Sequence, residues 1–393
     1  MADASTSPAA LGGLRILDFS RVLAGPFATM MLADLGAEVI KVERPGIGDE
    51  TRSWGPPNDA HGDATYFQAV NRNKRSVAVD LSSDTGRDLA RQLAGTADVI
   101  VENFRPDVMD RLGLGYETLS AANPRLVYCS ITGFGAGDGA RLPGYDLLVQ
   151  ALGGLMSITG APDSEPQKVG VAVVDVLAGL FAAVGILAAL RHRDATGEGQ
   201  QVQVDLFSSL LAALVNQGSA FTVAGVVPAR MGNAHPSISP YELYETDDGA
   251  LVLAVGNERQ FAALCDVLGA PELATDKRFE GNRARVEHRD VLKRELIARL
   301  RTRPAAEWAR LLLDERVPAG VVNDIAGAFE LARTLGLEPI VDLPGPDGSA
   351  VPLTRNPIGL SRTPPSYRSA PPPLPDERPA GPTRPAARPR SQP

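Results

Sequence analysis

LRILDFSRVLAGPFATMMLADLGAEVIKVE, residues 14–43, changes its period twice. LRILDF and AEVIKVE read as strands, and PFATMMLADLG between them reads as a helix. Pro26 is suited to the first helical turn and Gly36 to the helix end. The stretch is one strand–helix–strand unit joined by the turn SRVLAGP. Further strand-like runs follow at SVAVDL (76–81), DVIVENF (98–104), RLVYCSI (125–131) and QVQVDL (201–206), with helical patterns such as TGRDLARQLAGTA (85–97) between them. That alternation predicts an α/β fold with a doubly wound, Rossmann-like parallel sheet, whose ligands sit beyond the C-terminal strand ends.

From that unit the organisation extends outward. Residues 1–10 read as a disordered N-terminus and 11–224 as the large α/β domain, the latter closing on a helix near 207–224. A smaller α+β domain is expected over 225–330, opening with a hairpin around Asp248 and Gly249 and continuing through amphipathic helices. Residues 331–360 are expected to return to the large domain, with a hairpin turning at GPDG (345–348). From 361 to 393 proline and arginine dominate, which predicts a disordered tail.

The 393 residues are 44% hydrophobic and 22% charged, with a formal net charge of −8 and an isoelectric point near 5.2. This is a globular composition, and the acidic balance argues against a nucleic-acid partner. Two cysteines, Cys129 and Cys265, make a disulfide framework improbable and read as core filler. No secretory signal is visible in MADASTSPAA, so the cytoplasm is the expected compartment. The four histidines (His61, His192, His235, His288) are scattered, and no metal-ligand spacing occurs.

Asp175 is the one charged residue in VAVVDVLAGLFAAVGILAAL (171–190). Three readings compete. It could cap a core helix, it could be a carboxylate held for chemistry, or the run could cross a membrane. The apolar run after it is fifteen residues long and ends in RHRD, which favours a buried helix and no membrane partner. Asp146 opens another helix and has the same capping alternative. Arg44, Lys74, Arg75, Arg105 and Arg111 recur near predicted strand ends, where they could form a cationic mouth for a polyphosphate. Singly, each is better explained as a solvated surface charge, and it is their shared location that points to a ligand. His235 lies in the Gly/Ser/Pro-rich loop GNAHPSISPY, which could close over a site.

Together, LRILDFSRVLAGPFATMMLADLGAEVIKVERPGIGD, YFQAVNRNKRS, VIVENFRPDVMDRLGLGYE, YCSITGFG, GYDLLVQALGGLMSITG and VAVVDVLAGL resemble the family III coenzyme A transferases. The similarity covers about residues 11–360. It implies that Asp175 is the nucleophile, and it carries coenzyme A contacts onto Val22, Leu23, Ala24, Arg44, Asn103, Phe104, Arg105, Arg111, Thr132, Gly133 and Phe134. Some relatives have lysines where this chain has Ser82 and Thr132. The resemblance further implies an acyl-CoA and a free carboxylate as substrates, no prosthetic group and no metal, and an interlocked, ring-like homodimer.

Racemase members of this group use a histidine where the present chain reads Gly144, Tyr145, Asp146. Tyrosine is a poor base at neutral pH, so transfer is favoured over racemisation. Tyr145, Asp146 and His235 are the candidate substrate-pocket residues. The branch most resembled moves coenzyme A between dicarboxylates such as succinyl-CoA and glutarate. Oxalate, carnitine-type, itaconate, malate and mesaconate transfer are alternatives, as are a 2-methylacyl-CoA racemase and a non-catalytic coenzyme A binder.

Overall fold

The computed structural model describes residues 9–59, 62–345 and 348–375. The chain divides into two compact units. One comprises the described residues up to 153, 170–218 and those from 338 onward; the other comprises 154–169 and 219–337. Residues 154–169 therefore cluster with the second unit, not with the large domain expected from sequence. Gly232 N–H donates to the Gly160 carbonyl at 3.0 Å and Arg230 Nε to the Ala161 carbonyl at 3.3 Å.

The sheet of the first unit has six strands, β1 Arg15–Asp18, β2 Glu38–Glu43, β3 Lys74–Ala78, β4 Val99–Glu102, β5 Val127–Thr132 and β6 Gln201–Asp205. All neighbours are parallel, in the order β3-β2-β1-β4-β5-β6. The order reverses between β1 and β4, which opens a crevice at their C-terminal ends. The helix Ala24–Asp34 follows β1 and is buried along its length. Gly36 closes it at φ +111°, where a Cβ would fall 2.3 Å from that of Ala9. Cys129 is fully buried in β5.

The long helix Val173–Thr196 differs from the buried helix expected. Small residues (Ala178, Gly179, Ala182, Ala183) put one face in the core, and a Cβ on Gly179 would come within 2.6 Å of the Ala24 carbonyl. The opposite face exposes Leu180, Phe181, Val184 and Leu187. By length and composition this helix could cross a membrane, a property that core helices share. The helix expected near 207–224 is interrupted at Leu214, between Leu206–Ala213 and Val215–Ala224, where Val215 has φ +40°.

In the second unit β7 Tyr241–Glu245, β8 Ala250–Ala254 and β9 Ala319–Val321 form an antiparallel sheet over a core that includes Leu264, Cys265, Leu292, Leu296 and Trp308. In the first unit β10 Ile340–Pro344 pairs with β11 Ala350–Thr354 as a hairpin, two of whose turn residues, 346 and 347, lie outside the described residues.

The tail expected from 361 is in part a packed strap. Ser366 N–H donates to the Asp34 carbonyl at 2.7 Å, and Asn73 bonds the strap through both backbone and side chain. A buried Arg72–Asp34 ion pair of 2.6 Å lies beneath it. Extended proline-rich chain has its carbonyls and remaining N–H groups free for such partners. Residues 1–8 and 376–393 lie outside the described residues.

Candidate active site

At the point where the strand order reverses, the turn after β1 meets the loop after β4. Arg21 N–H donates to Asn103 Oδ1 at 2.9 Å, and Asn103 Nδ2 donates back to the Arg21 carbonyl at 2.7 Å. Between them Val22 holds φ +67°, a conformation a β-branched residue adopts only when its surroundings impose it. The restraint comes from below. Asp49 accepts from Val22 N–H at 3.2 Å and from the Lys41 ammonium at 2.8 Å, and Lys41 also donates to the Ser20 carbonyl. Beside them Asp18 is fully buried and accepts from Lys74 Nζ at 3.0 Å, Thr29 Oγ1 at 2.6 Å, and Ser20 through both its N–H and its hydroxyl. Burial opposes the charge on Asp18, but Lys74, Lys41 and the two hydroxyls hold it below the usual carboxylate range.

Above this floor stands Asp175, in the first turn of the long helix. Its N-cap position is occupied by Ala172, so Asp175 does not cap the helix. The capping bond comes from outside, as Asp146 Oδ1 accepts from Val174 N–H at 2.8 Å while its other oxygen takes Gln150 Nε2. Freed of that duty, the Asp175 carboxylate accepts no hydrogen bond among the described residues. Burial, reinforced by the charge of Asp146, pushes its pKa up to about 7. The carboxylate is therefore partly ionised at neutral pH and uncommitted.

The cleft that Asp175 lines gathers many of the residues singled out by sequence: Ala24, Asn103, Phe104, Arg105, Thr132, Gly133 and Phe134. Gly133 and Gly144 touch backbone to backbone there, a Cβ on Gly133 falling 2.4 Å from the Gly144 Cα. Val22 and Leu23 belong to the strained turn at its edge. Arg44 lines a neighbouring cleft with Arg21, Leu81 and Ser82, and Phe104 is the wall common to both. Arg44 and Arg105 are exposed and make no ion pair or side-chain hydrogen bond within the described chain. Arg111 is exposed as well, outside both clefts.

The placement of Lys74 and Arg75 needs correction, and the other candidates lie as follows. Lys74 and Arg75 lie at the N-terminal end of β3, away from the ligand end. Lys74 is spent on Asp18, and Arg75 pairs with Glu38. Asn103 lines the cleft, but its amide is committed to the Arg21 backbone. Thr132, in place of a lysine, closes its own turn by accepting from Gly135 N–H at 3.1 Å. Tyr145 is 66% exposed. His235 belongs to the second unit, where its Nδ1 accepts from Ser237 N–H and its ring packs edge-on against Tyr241.

Two residues outside the lining of the Asp175 cleft, not singled out from sequence, have shifted pKa values. Tyr66 is half-buried, and burial followed by the charges of Asp175, Asp146 and Asp49 raises its pKa, so its phenol stays a donor. It stands in YFQAVNRNKRS, a segment used only for resemblance. Glu102, the last residue of β4, accepts from Phe104 N–H at 2.9 Å and so fixes the loop carrying Arg105. Burial pushes its pKa up to about 7.

A family profile described as CoA-transferase family III matches residues 11–378. A succinate–glutarate CoA-transferase of Agrobacterium fabrum is 45% identical over 385 residues, covering 95% of each chain. An acetyl-CoA:oxalate CoA-transferase of Acetobacter aceti is 42% identical over 352 residues, covering 89% of this chain and 88% of its own. The crystal structure of a CAIB/BAIF family protein from Brucella suis superposes with a TM-score of 0.83 at 43% identity, covering 94% of this chain and 97% of that one. With its parallel sheet and strand-end clefts, the chain belongs to CoA-transferase family III.

Proposed function

We propose that this enzyme moves coenzyme A from succinyl-CoA to a second dicarboxylic acid through Asp175. The observation that carries the reading is the Asp175 carboxylate, unpartnered on a cleft built from the turn before the first helix and the loops after β4 and β5. Similarity to a succinate–glutarate transferase supports the substrate class.

In this mechanism an Asp175 oxygen attacks the thioester carbonyl and expels coenzyme A thiolate, leaving a mixed anhydride. The thiolate then attacks the aspartyl carbonyl, so that succinate departs and an aspartyl thioester remains. An incoming carboxylate attacks that thioester, again releasing thiolate. Attack of the thiolate on the new acyl carbonyl yields the product acyl-CoA and restores Asp175. No net hydrolysis occurs provided that water is kept from both activated intermediates.

The second reading, racemisation, finds no histidine at Tyr145. The exposed apolar face of the long helix, with Leu180, Phe181 and Val184, favours a homodimer; light scattering at the monomer mass would remove that part of the proposal. Fully buried free thiols at Cys129 and Cys265 are compatible with the cytoplasm.

The functional test incubates wild type and Asp175→Ala with succinyl-CoA and a panel of carboxylic acids, with new thioesters read by mass spectrometry. Products from wild type alone are expected. Equal products from both proteins would remove Asp175 from the chemistry, and their absence from both would reject the donor.

A further inference from the structure

We propose that Arg105 determines acceptor specificity, its guanidinium binding the far carboxylate of a dicarboxylic acid while the near carboxyl group reacts at Asp175. The inference rests on the transferase reading above. Among the described residues that line the Asp175 cleft, Asp175 and Arg105 are the only charged side chains. The remainder of that wall is apolar, glycine or neutral polar, including Phe104, Pro106, Phe134 and Leu142. A substrate with a second negative charge therefore finds one cation there.

Arg105 is also uncommitted. It borders a second, larger cleft that contains the carboxylates of Glu102, Asp107, Asp110, Glu117 and Asp205, yet it forms an ion pair with none of them. That acidic cleft repels an anionic acyl chain, so the far carboxylate is directed to the Asp175 side. Near its base Arg105 is fixed, because the preceding residue, Phe104, is held by Glu102 through its N–H. The guanidinium stays charged at every working pH and matches a carboxylate with two parallel hydrogen bonds.

Exchange at a single aspartate brings the leaving and entering acyl groups to the same place in turn. One arginine then serves both succinyl donor and dicarboxylate acceptor, and a monocarboxylate leaves it unpaired. A coenzyme phosphate contact at Arg105, the role that family resemblance gives it, would act on every acceptor alike.

The experiment compares glutarate with its neutral monoamide, glutaramate, as acceptors from succinyl-CoA, in wild type, Arg105→Met and Arg105→Lys. In a double-displacement reaction kcat/KM for an acceptor reports its own half-reaction, so damage to the donor step cancels. Wild type is expected to prefer glutarate. In Arg105→Met, kcat/KM for glutarate should fall roughly 10- to 100-fold while that for glutaramate holds. Arg105→Lys should retain part of the preference through its charge. An unchanged glutarate-to-glutaramate ratio in Arg105→Met would overturn the proposal, as would a rise in KM for succinyl-CoA alone. Should Arg105→Met not fold, wild type still decides, since equal use of the two acceptors rules out a far-carboxylate site. Transfer that survives in Asp175→Ala would instead reject the transferase mechanism itself.

Discussion

The floor and the rim of the strand-end crevice use the same residue types in opposite ways. In the floor, Asp18, Lys41, Asp49 and Lys74 are buried and bonded to one another or to the backbone of the turn above. At the rim, Asp175, Arg44 and Arg105 have no ion-pair partner among the described residues. Buried charges need partners to exist at all, and here the partners hold Val22 in its left-handed conformation. The rim charges give up such partners and remain available to a substrate. Charge in this crevice is structural where it is paired, and where it is not it is free for the role proposed above.

The largest expected effect breaks the comparison at the rim. Asp175→Asn should lower kcat by at least about 10³-fold without loss of fold, followed by thioester formation and thermal unfolding. Its stability effect has a definite sign. A carboxyl group raised to about 7 in the folded protein binds more protons than the unfolded chain between that value and its ordinary one, so its cost to stability grows as pH rises through that window. Asp175→Asn should therefore be more stable than wild type at pH 8, by on the order of 1–2 kcal/mol after solvent screening, and equal to it near pH 4.

The floor should respond in stability instead. Lys74→Met removes the ammonium bonded to Asp18 and leaves that buried carboxylate with its hydroxyl donors and Lys41, which should cost about 3–5 kcal/mol in denaturant titration. A loss under about 1 kcal/mol would mean the floor is no more committed than a surface pair. Smaller again, Arg44→Ala should raise KM for the acyl-CoA roughly tenfold and leave the unfolding midpoint unchanged. An altered midpoint would place Arg44 among the structural charges.

The smallest effect separates two neighbouring carboxylates. With Asp175 required as the anion, kcat/KM should fall as pH drops below about 7. Asp146→Asn removes the like charge and should move that acid limb to lower pH by less than about one unit. An unmoved limb would assign the titration to another group, Glu102 being the first to examine.

The sheet was legible because its signals are local: short apolar runs, Pro26 and Gly36 punctuating one helix, and order along the chain. The Asp175 cleft was legible through motif resemblance, which carried Ala24, Phe104, Thr132 and Gly133 together. What sequence missed depends on direction and partner. Lys74 and Arg44 look alike as basic residues near strands, but one side chain is buried against Asp18 and the other is exposed. Asp175 and Asp146 each sit in a first helical turn, and only geometry shows that Asp146 caps the helix of Asp175. The strap from 361 carries no hydrophobic period because it is held by backbone and side-chain hydrogen bonds, which leave no such mark.

That strap also sets an order of events. Asn73 and Asp34 bond to residues more than 290 positions later, after the whole of the second unit has been made. During synthesis the second unit can close on its own local contacts while the first still lacks its final segment. The edge of the sheet around β3 thus waits for residues 366–369, and the crevice is built on a scaffold that becomes whole only once they have been made.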